Sequence, residues 1–273
     1  MITEIAPAKL NLALHVRARR PDGYHELETL FAFCRDGDVV TLAPAEADSF
    51  MLTGPYGGAL EGDDNLVTRA RDAFRAAFGA PACAITLDKR LPIASGIGGG
   101  SADAAATLRA LARWRGVAPD TPELFAIAER LGADVPACLL GQSAIGTGKG
   151  EKLVPLPGLG GVPALLINPG VAVSTASVFK AWDGVDRGPL GSGDLLAVAR
   201  AGRNDLEAPA RALAPVIDAV LARLAGPGVL LARMSGSGAT CFALFESDTA
   251  RAATAARVRA EQPGWWCLET ALA

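Results

Sequence analysis

Leu10, Leu12, Leu14 and Val16 alternate with Asn11, Ala13, His15 and Arg17. That period of two predicts a β-strand with one buried face. Lys9 and Asn11 share its other, polar face. Arg20-Pro-Asp-Gly-Tyr24 has the residue chemistry of a turn. Further strands are read at Asp38–Leu42, Ser49–Thr53 and Ala84–Leu87. Asp63, Asp64 and Asn65 offer helix caps. Leu66, Val67, Ala70, Phe74 and Phe78 follow at helical spacing, up to a stop at Gly79. An alanine-rich helix is predicted from about Ala102 to Arg115, and a shorter one from Pro122 to Leu131, ending at Gly132.

In the second half, Ala164–Ile167 reads as a strand and Asn168-Pro-Gly170 as a turn. Helices are predicted near Thr175–Trp182, Asp194–Arg200 and Leu206–Leu224. Strands at Val229–Arg233 and Thr240–Phe245 flank the loop Ser235-Gly-Ser-Gly238. A last helix, Thr249–Gln262, leads to a strand near Trp266–Thr270. Strands and helices mix without regular alternation, which predicts an α+β fold. Pro155, Pro157, Gly158, Gly160 and Gly161 mark a boundary near residue 157. The expected domains are residues 1–157 and 158–273.

Composition narrows the classes. Half of the 273 residues are apolar and the net charge is only -3, which excludes a disordered chain. The length fits one large domain or two small ones. No apolar run approaches the roughly 18 residues that cross a bilayer. Met1–Pro7 lacks the features of a signal peptide, so a soluble, cytoplasmic protein is expected. Lys and Arg number 26 against 29 Asp and Glu, which argues against nucleic acid as a partner. Arg17, Arg19 and Arg20 then read as a solvated strand end. The five cysteines are scattered without a C-x-x-C pair, so neither a disulfide framework nor a zinc site is expected. With only His15 and His25, a histidine-rich metal centre is excluded.

The segment Pro92-Ile-Ala-Ser-Gly-Ile-Gly-Gly-Gly-Ser-Ala102 carries the chemistry. Glycines let backbone N–H groups approach an anion closely. A helix N-terminus adds aligned donors and partial positive charge. Together they make a phosphate cradle, although a flexible turn capped by Ser101 uses the same residues. The dinucleotide, Walker and nucleophile-elbow patterns all fail here. Lys9, one of few lysines, is either an exposed strand residue or a compact cation for a phosphate or carboxylate. Asp134, set between apolar residues before Val135-Pro136, is either a general base partnered by Lys9 or a helix or turn cap. Met234-Ser-Gly-Ser-Gly-Ala-Thr240 is a second glycine-rich loop that a hairpin also explains.

The loop at 92–102 resembles the phosphate loop of the small-molecule kinase superfamily named for galactokinase, homoserine kinase, mevalonate kinase and phosphomevalonate kinase. Ala8-Lys-Leu-Asn-Leu12, Arg20-Pro-Asp-Gly-Tyr-His25 and Leu131-Gly-Ala-Asp-Val-Pro136 are similar to the branch that acts on a cytidine-diphosphate-linked methylerythritol. Asp64-Asn-Leu66, Asn168-Pro-Gly170 and Ser235-Gly-Ser-Gly-Ala239 fit in the same order. The resemblance spans essentially the whole chain.

It implies an N-terminal domain like the second domain of ribosomal protein S5 and a ferredoxin-like C-terminal domain. It implies transfer of the ATP γ-phosphate to the 2-hydroxyl of the erythritol moiety, in the non-mevalonate route to isoprenoid precursors. Asp134 would be the base and Lys9 its electrostatic partner. Asn11 and His25 would hold the substrate, with Tyr24 and Phe179 sandwiching the cytosine. Pro92, Ile93, Ala94, Ser95, Gly96, Ile97, Gly98, Gly99, Gly100, Ser101 and Ala102 would wrap the ATP phosphates, with Asn65 and Lys89 near the adenine. Mg2+ is expected with ATP; Ser101 or Asp103 is its candidate neighbour, and no protein ligand set is read. Ala94 and Ser95 stand where two glycines are usual, and Ala102 where a second serine is usual. Ser95 is expected to take the glycine's backbone angle; if positive, that strains the loop by about 1 kcal/mol or more. A sister kinase acting on mevalonate, homoserine or a sugar is the nearest rival. A nucleotide-binding regulator, or an RNA-binding module like ribosomal S5, is the rival from another class.

Overall fold

A computed structural model describes residues 1–59 and 65–273. Asp63 and Asp64 lie outside the described residues. The chain divides into two compact units that interleave along the sequence. One takes residues 1–8, 36–93 and 98–141, and the other 9–35, 94–97 and 142–273. Compactness thus does not follow a single cut at residue 157. The long strands β1 (Ile2–Arg19) and β2 (His25–Pro44) contribute residues to both units.

In the first unit, β3 (Ser49–Thr53) runs parallel to β4 (Cys83–Asp88), which pairs antiparallel with Val39–Pro44 of β2. Helix α1 (Leu66–Phe78) begins where the pattern predicts, because Asn65 caps it. The Asn65 carboxamide oxygen accepts from the N–H groups of Val67 and Thr68, and the Thr68 hydroxyl accepts from the Asn65 N–H. Such caps contribute about 1 kcal/mol. Helix α2 (Gly99–Arg115) starts three residues before the expected Ala102. It buries Ala102, Ala104, Ala105, Ala106, Ala110 and Ala112, and these small side chains let α1 and a later helix lie close. That later helix, α4 (Val135–Leu140), follows α3 (Pro122–Leu131), whose ends match the sequence reading. Phe74, Leu108, Leu111, Leu124 and Ile127 fill the core.

In the second unit, β1 and β2 form a hairpin closed by the turn at Arg20–Tyr24, where the Arg20 N–H donates to the Tyr24 carbonyl at 2.8 Å. Lys9–Val16 are buried on both faces, which corrects the expected half-exposed strand. The polar members stay buried because they have partners. His15 Nε2 accepts from the Arg203 N–H, so its Nδ1 donates to the Gly188 carbonyl. The arginines after it are not a free cluster: Arg17 pairs with Glu28 and Asp186, and Arg20 with Asp22 and Glu26. Leu27–Phe31 of β2 pair with β5 (Ala144–Gly148), which turns back into β6 (Lys152–Pro155).

The rest of this unit is a four-stranded antiparallel sheet of β7 (Pro163–Asn168), β8 (Val229–Met234), β9 (Cys241–Phe245) and β10 (Trp266–Ala271), in the order β10-β7-β9-β8. Numbered from β7, that is 4-1-3-2. Helices between the first and second and between the third and fourth strands complete the ferredoxin-like arrangement. The helices are α5 (Thr175–Ala181), α6 (Leu195–Ala201), α7 (Glu207–Leu213), α8 (Val216–Leu224) and α9 (Asp248–Glu261). The single helix expected over Leu206–Leu224 is two, because Pro215 has no N–H to continue the first. Ile167, Val178, Trp182, Ile217, Val220, Phe245 and Val258 make the core. Four of the cysteines are buried and Cys267 half-buried, all as free thiols.

Candidate active site

The glycine-rich segment is held open by backbone bonds. In the second unit, the Lys9 N–H donates to the Ile97 carbonyl at 2.9 Å, and the Thr240 N–H to the Ser95 carbonyl at 3.1 Å. The Ser235 hydroxyl donates to the Gly96 carbonyl at 3.0 Å and accepts from the Asn11 N–H. The φ of Gly96 is 79°, and a Cβ there would lie 2.6 Å from the Ser235 carbonyl oxygen, so only glycine fits. The loop Ser235–Gly238, a hairpin connection between β8 and β9, therefore also shapes the glycine-rich segment. The positive angle expected at Ser95 falls on Ala94 instead, with φ 51°.

In the first unit, Gly98 is the N-cap of α2, in the left-handed region, and gives the helix no side-chain cap. Ser101 stands inside the first turn, not at the cap as the turn reading had it. Beneath this turn lies an ion-paired triad. The Lys89 ammonium is 2.5 Å from an Asp38 oxygen and 2.7 Å from an Asp103 oxygen. The other Asp38 oxygen accepts from the N–H groups of Arg90 and Leu91. All three side chains are almost wholly buried. Burial alone would lower the Lys89 pKa, but the two carboxylates raise it on balance. Lys89, expected near the adenine, is thus bound to two carboxylates, and Asp38 is a member that sequence reasoning missed. Among the described residues, the buried Asn65 side-chain nitrogen has no partner. Asp134 is half-buried at the N-cap position of α4 and makes no side-chain bond that caps this helix, which removes its reading as a helix cap.

The expected substrate residues lie in the second unit. The Asn11 side-chain nitrogen donates to the Thr29 hydroxyl at 2.8 Å, which donates on to the Ala13 carbonyl. The Asn11 side-chain oxygen is buried and unpartnered. Thr29 was not read from the sequence, since it sits in an unremarkable strand. The His25 ring lies 4.8 Å from the Phe179 ring and 5.8 Å edge-on from that of Trp182. Burial, and then the nearby Arg19 charge, lower the His25 pKa, which favours the neutral imidazole, and among the described residues its buried Nε2 has no partner. Tyr24 is 53% exposed, with the Lys149 ammonium 4.9 Å from its ring centre. The Lys9 ammonium sits 5.3 Å from the Phe31 ring centre.

Among the described residues, no group of three or more His, Cys, Asp or Glu is arranged to hold a metal ion. Asp103, a candidate neighbour of Mg2+, is engaged by Lys89. No helix among them is long and apolar enough to cross a membrane.

Residues 65–142 match the family model for the GHMP kinases N terminal domain, and residues 189–264 that for the GHMP kinases C terminal. A 4-diphosphocytidyl-2-C-methyl-D-erythritol kinase of Rhizorhabdus wittichii is 56% identical over 99% of this chain and 94% of its own. Its counterpart in Novosphingobium aromaticivorans is 52% identical over 99% of this chain and 93% of its own. The chain belongs to the 4-diphosphocytidyl-2-C-methyl-D-erythritol kinase family.

A crystal structure of 4-(cytidine 5'-diphospho)-2C-methyl-D-erythritol kinase superposes with a TM-score of 0.82, at 38% identity and 99% coverage of both chains. A homoserine kinase from Cytophaga hutchinsonii superposes at 0.70 over 99% of this chain and 95% of its own, with 20% identity, a likeness of fold alone. The α+β fold and the kinase resemblance expected from the motifs hold.

Proposed function

We propose that the chain transfers the γ-phosphate of ATP to the 2-hydroxyl of 4-diphosphocytidyl-2-C-methyl-D-erythritol. Its place would be the cytoplasm, in the non-mevalonate route to isoprenoid precursors, with the domain boundary near residue 157. The similarity of the whole chain to kinases of that name supports the reading. The structural observation that carries it is the first turn of α2, which Gly98 opens with no side chain of its own.

Phosphoryl transfer asks for positioning and charge neutralisation more than for covalent chemistry. The backbone N–H groups of Gly99–Ser101, which precede the first intrahelical bond from Ala102 to the Gly98 carbonyl, and the helix dipole face the phosphates, with Pro92–Ile97 completing the loop. Asn65 offers its free amide donors to the adenine, while Lys89 braces the turn below. The cytosine stacks between Tyr24 and Phe179 and meets the neutral His25. Asn11 positions the erythritol end. Asp134 accepts the hydroxyl proton, and Lys9 stabilises that carboxylate and the charge building on the attacking oxygen. The new bond joins the 2-oxygen to phosphorus, the old bond to the β-phosphate oxygen breaks, and ADP leaves. Mg2+ would accompany ATP and offset phosphate charge; the described residues form no ready cage for it.

Measuring ATP consumption with 4-diphosphocytidyl-2-C-methyl-D-erythritol, mevalonate, homoserine and galactose in parallel tests this. Turnover with the first alone is expected; turnover only with another would assign the chain to a sister activity.

A further inference from the structure

The segment Arg203-Asn-Asp-Leu-Glu207, which links α6 to α7, has no part in the roles above. It touches β1, β8 and the loop Ser235–Gly238 at once. The Leu14 N–H donates to the Arg203 carbonyl at 2.7 Å, and the Asp205 N–H returns a bond to the Leu14 carbonyl at 2.9 Å. The Val16 N–H donates to the Asp205 carboxylate at 2.8 Å, and the Met234 N–H to the Glu207 carboxylate at 3.1 Å.

Asn204 stands at the centre, 7% exposed. Its side-chain nitrogen donates to the Met234 carbonyl at 2.9 Å and to the Gly236 carbonyl at 2.8 Å. Its oxygen accepts from the Leu206 N–H at 3.0 Å. One planar carboxamide therefore pins the chain on both sides of Ser235. Ser235 in turn bonds the Gly96 carbonyl, and a Cβ on Gly236 would lie 2.8 Å from that same oxygen. With such close packing, a shift of Gly236 cannot leave Gly96 in place.

We propose that Asn204 is a positioning residue for phosphoryl transfer. Its carboxamide fixes the Ser235–Gly238 loop, and that loop fixes the backbone of Gly96 for the ATP phosphates. The proposal rests on the reading of the glycine-rich segment as the ATP site. A carboxamide is required because two buried carbonyls need two donors from one rigid group. A carboxylate has none to give, and an unpaired buried carbonyl costs as much as a lost hydrogen bond.

The test is steady-state kinetics of the full chain, with ATP and the cytidine substrate varied separately, for Asn204→Ala, Asn204→Asp and Gly96→Ala. For Asn204→Ala, the KM for ATP rises and kcat falls, each by about tenfold, a combined hundredfold on the scale of the two buried carbonyls left without a donor. Its KM for the cytidine substrate rises less than that for ATP: Tyr24 and His25 do not bond this loop, although the Asn11 N–H donates to Ser235 and Thr175 of α5 bonds Ser237. Asn204→Asp changes the same parameters further, because it sets a negative charge against two carbonyls. An unchanged KM for ATP and kcat in Asn204→Ala, with Gly96→Ala impaired, would overturn the role of Asn204 alone. A cytidine-substrate KM that rises as much as the KM for ATP would mark general loosening and overturn it too. Normal ATP kinetics in Gly96→Ala would overturn the reading of the loop itself. Should Asn204→Ala not fold, Asn204→Ser, which keeps one donor, faces the same outcomes.

Discussion

The Lys89 ammonium lies 2.7 Å from one oxygen of Asp103, while the other Asp103 oxygen is buried and meets no donor. Asp38 pairs with the same ammonium, so one cation serves two buried carboxyl groups. Burial pushes the Asp103 pKa up, to about 8, and the Asp38 charge adds to the rise while Lys89 opposes it. The folded chain therefore holds the Asp103 proton more tightly than the unfolded chain, where it leaves near pH 4. The stability this proton gives is full below that unfolded pKa and is lost as pH rises toward about 8. The unfolding free energy of the native chain minus that of Asp103→Asn should fall between about pH 5 and 8. Denaturant melts across that range measure it; a difference that grows with pH would mean an ionised Asp103.

Asp134→Ala should lower kcat by about a hundredfold or more, the usual contribution of a positioned base. ATP binding should survive, because the phosphate cradle is backbone. Single-turnover rates beside nucleotide titration separate the two, and near-normal turnover would remove Asp134 as the base.

Tyr24→Ala should raise the KM for the cytidine substrate by about tenfold, the scale of one base stacked on an aromatic ring. The KM for ATP should move little. If the cytidine KM is unchanged, the base does not stack on Tyr24.

Ala94→Gly should stabilise the chain by about 0.5–1 kcal/mol. Glycine relieves a left-handed penalty of roughly 1–2 kcal/mol and returns part of it as unfolded-state entropy. Chemical denaturation checks the sign; a less stable variant would show that Ala94 is not strained.

Local signals reached the sequence where local chemistry decides the structure. Asn65 and Gly79 bracket α1 because cap and stop act within one turn. The tight links of the site are long-range, and no spacing rule reports them. Nothing in the sequence near Lys89 announces Asp38, 51 positions away. Asn204 meets Gly236 from 32 positions off, and its only mark was polarity between two helices. β5 and β6 escaped because Gly146, Gly148 and Gly150 interrupt any alternation. Gly146 is there for space: a Cβ would come within 2.6 Å of the Phe31 ring. Burial of Lys9 and Asn11 was hidden for a related reason. Alternation suggests which residues share a face, but not whether the other face is covered as well.

Gly98 leaves the first turn of α2 without an internal cap, while the turns behind it are packed with buried alanine. As proposed, the triphosphate supplies the acceptors that a serine or aspartate would otherwise bring. The nucleotide is then a structural part of the helix as well as a reactant. Amide hydrogens at Gly99–Ser101 should exchange quickly in the free chain and slow sharply on binding. Those from Ala104 to Leu111 should be protected in both states. Each round of catalysis would then freeze and thaw a single turn of backbone on a core that does not move.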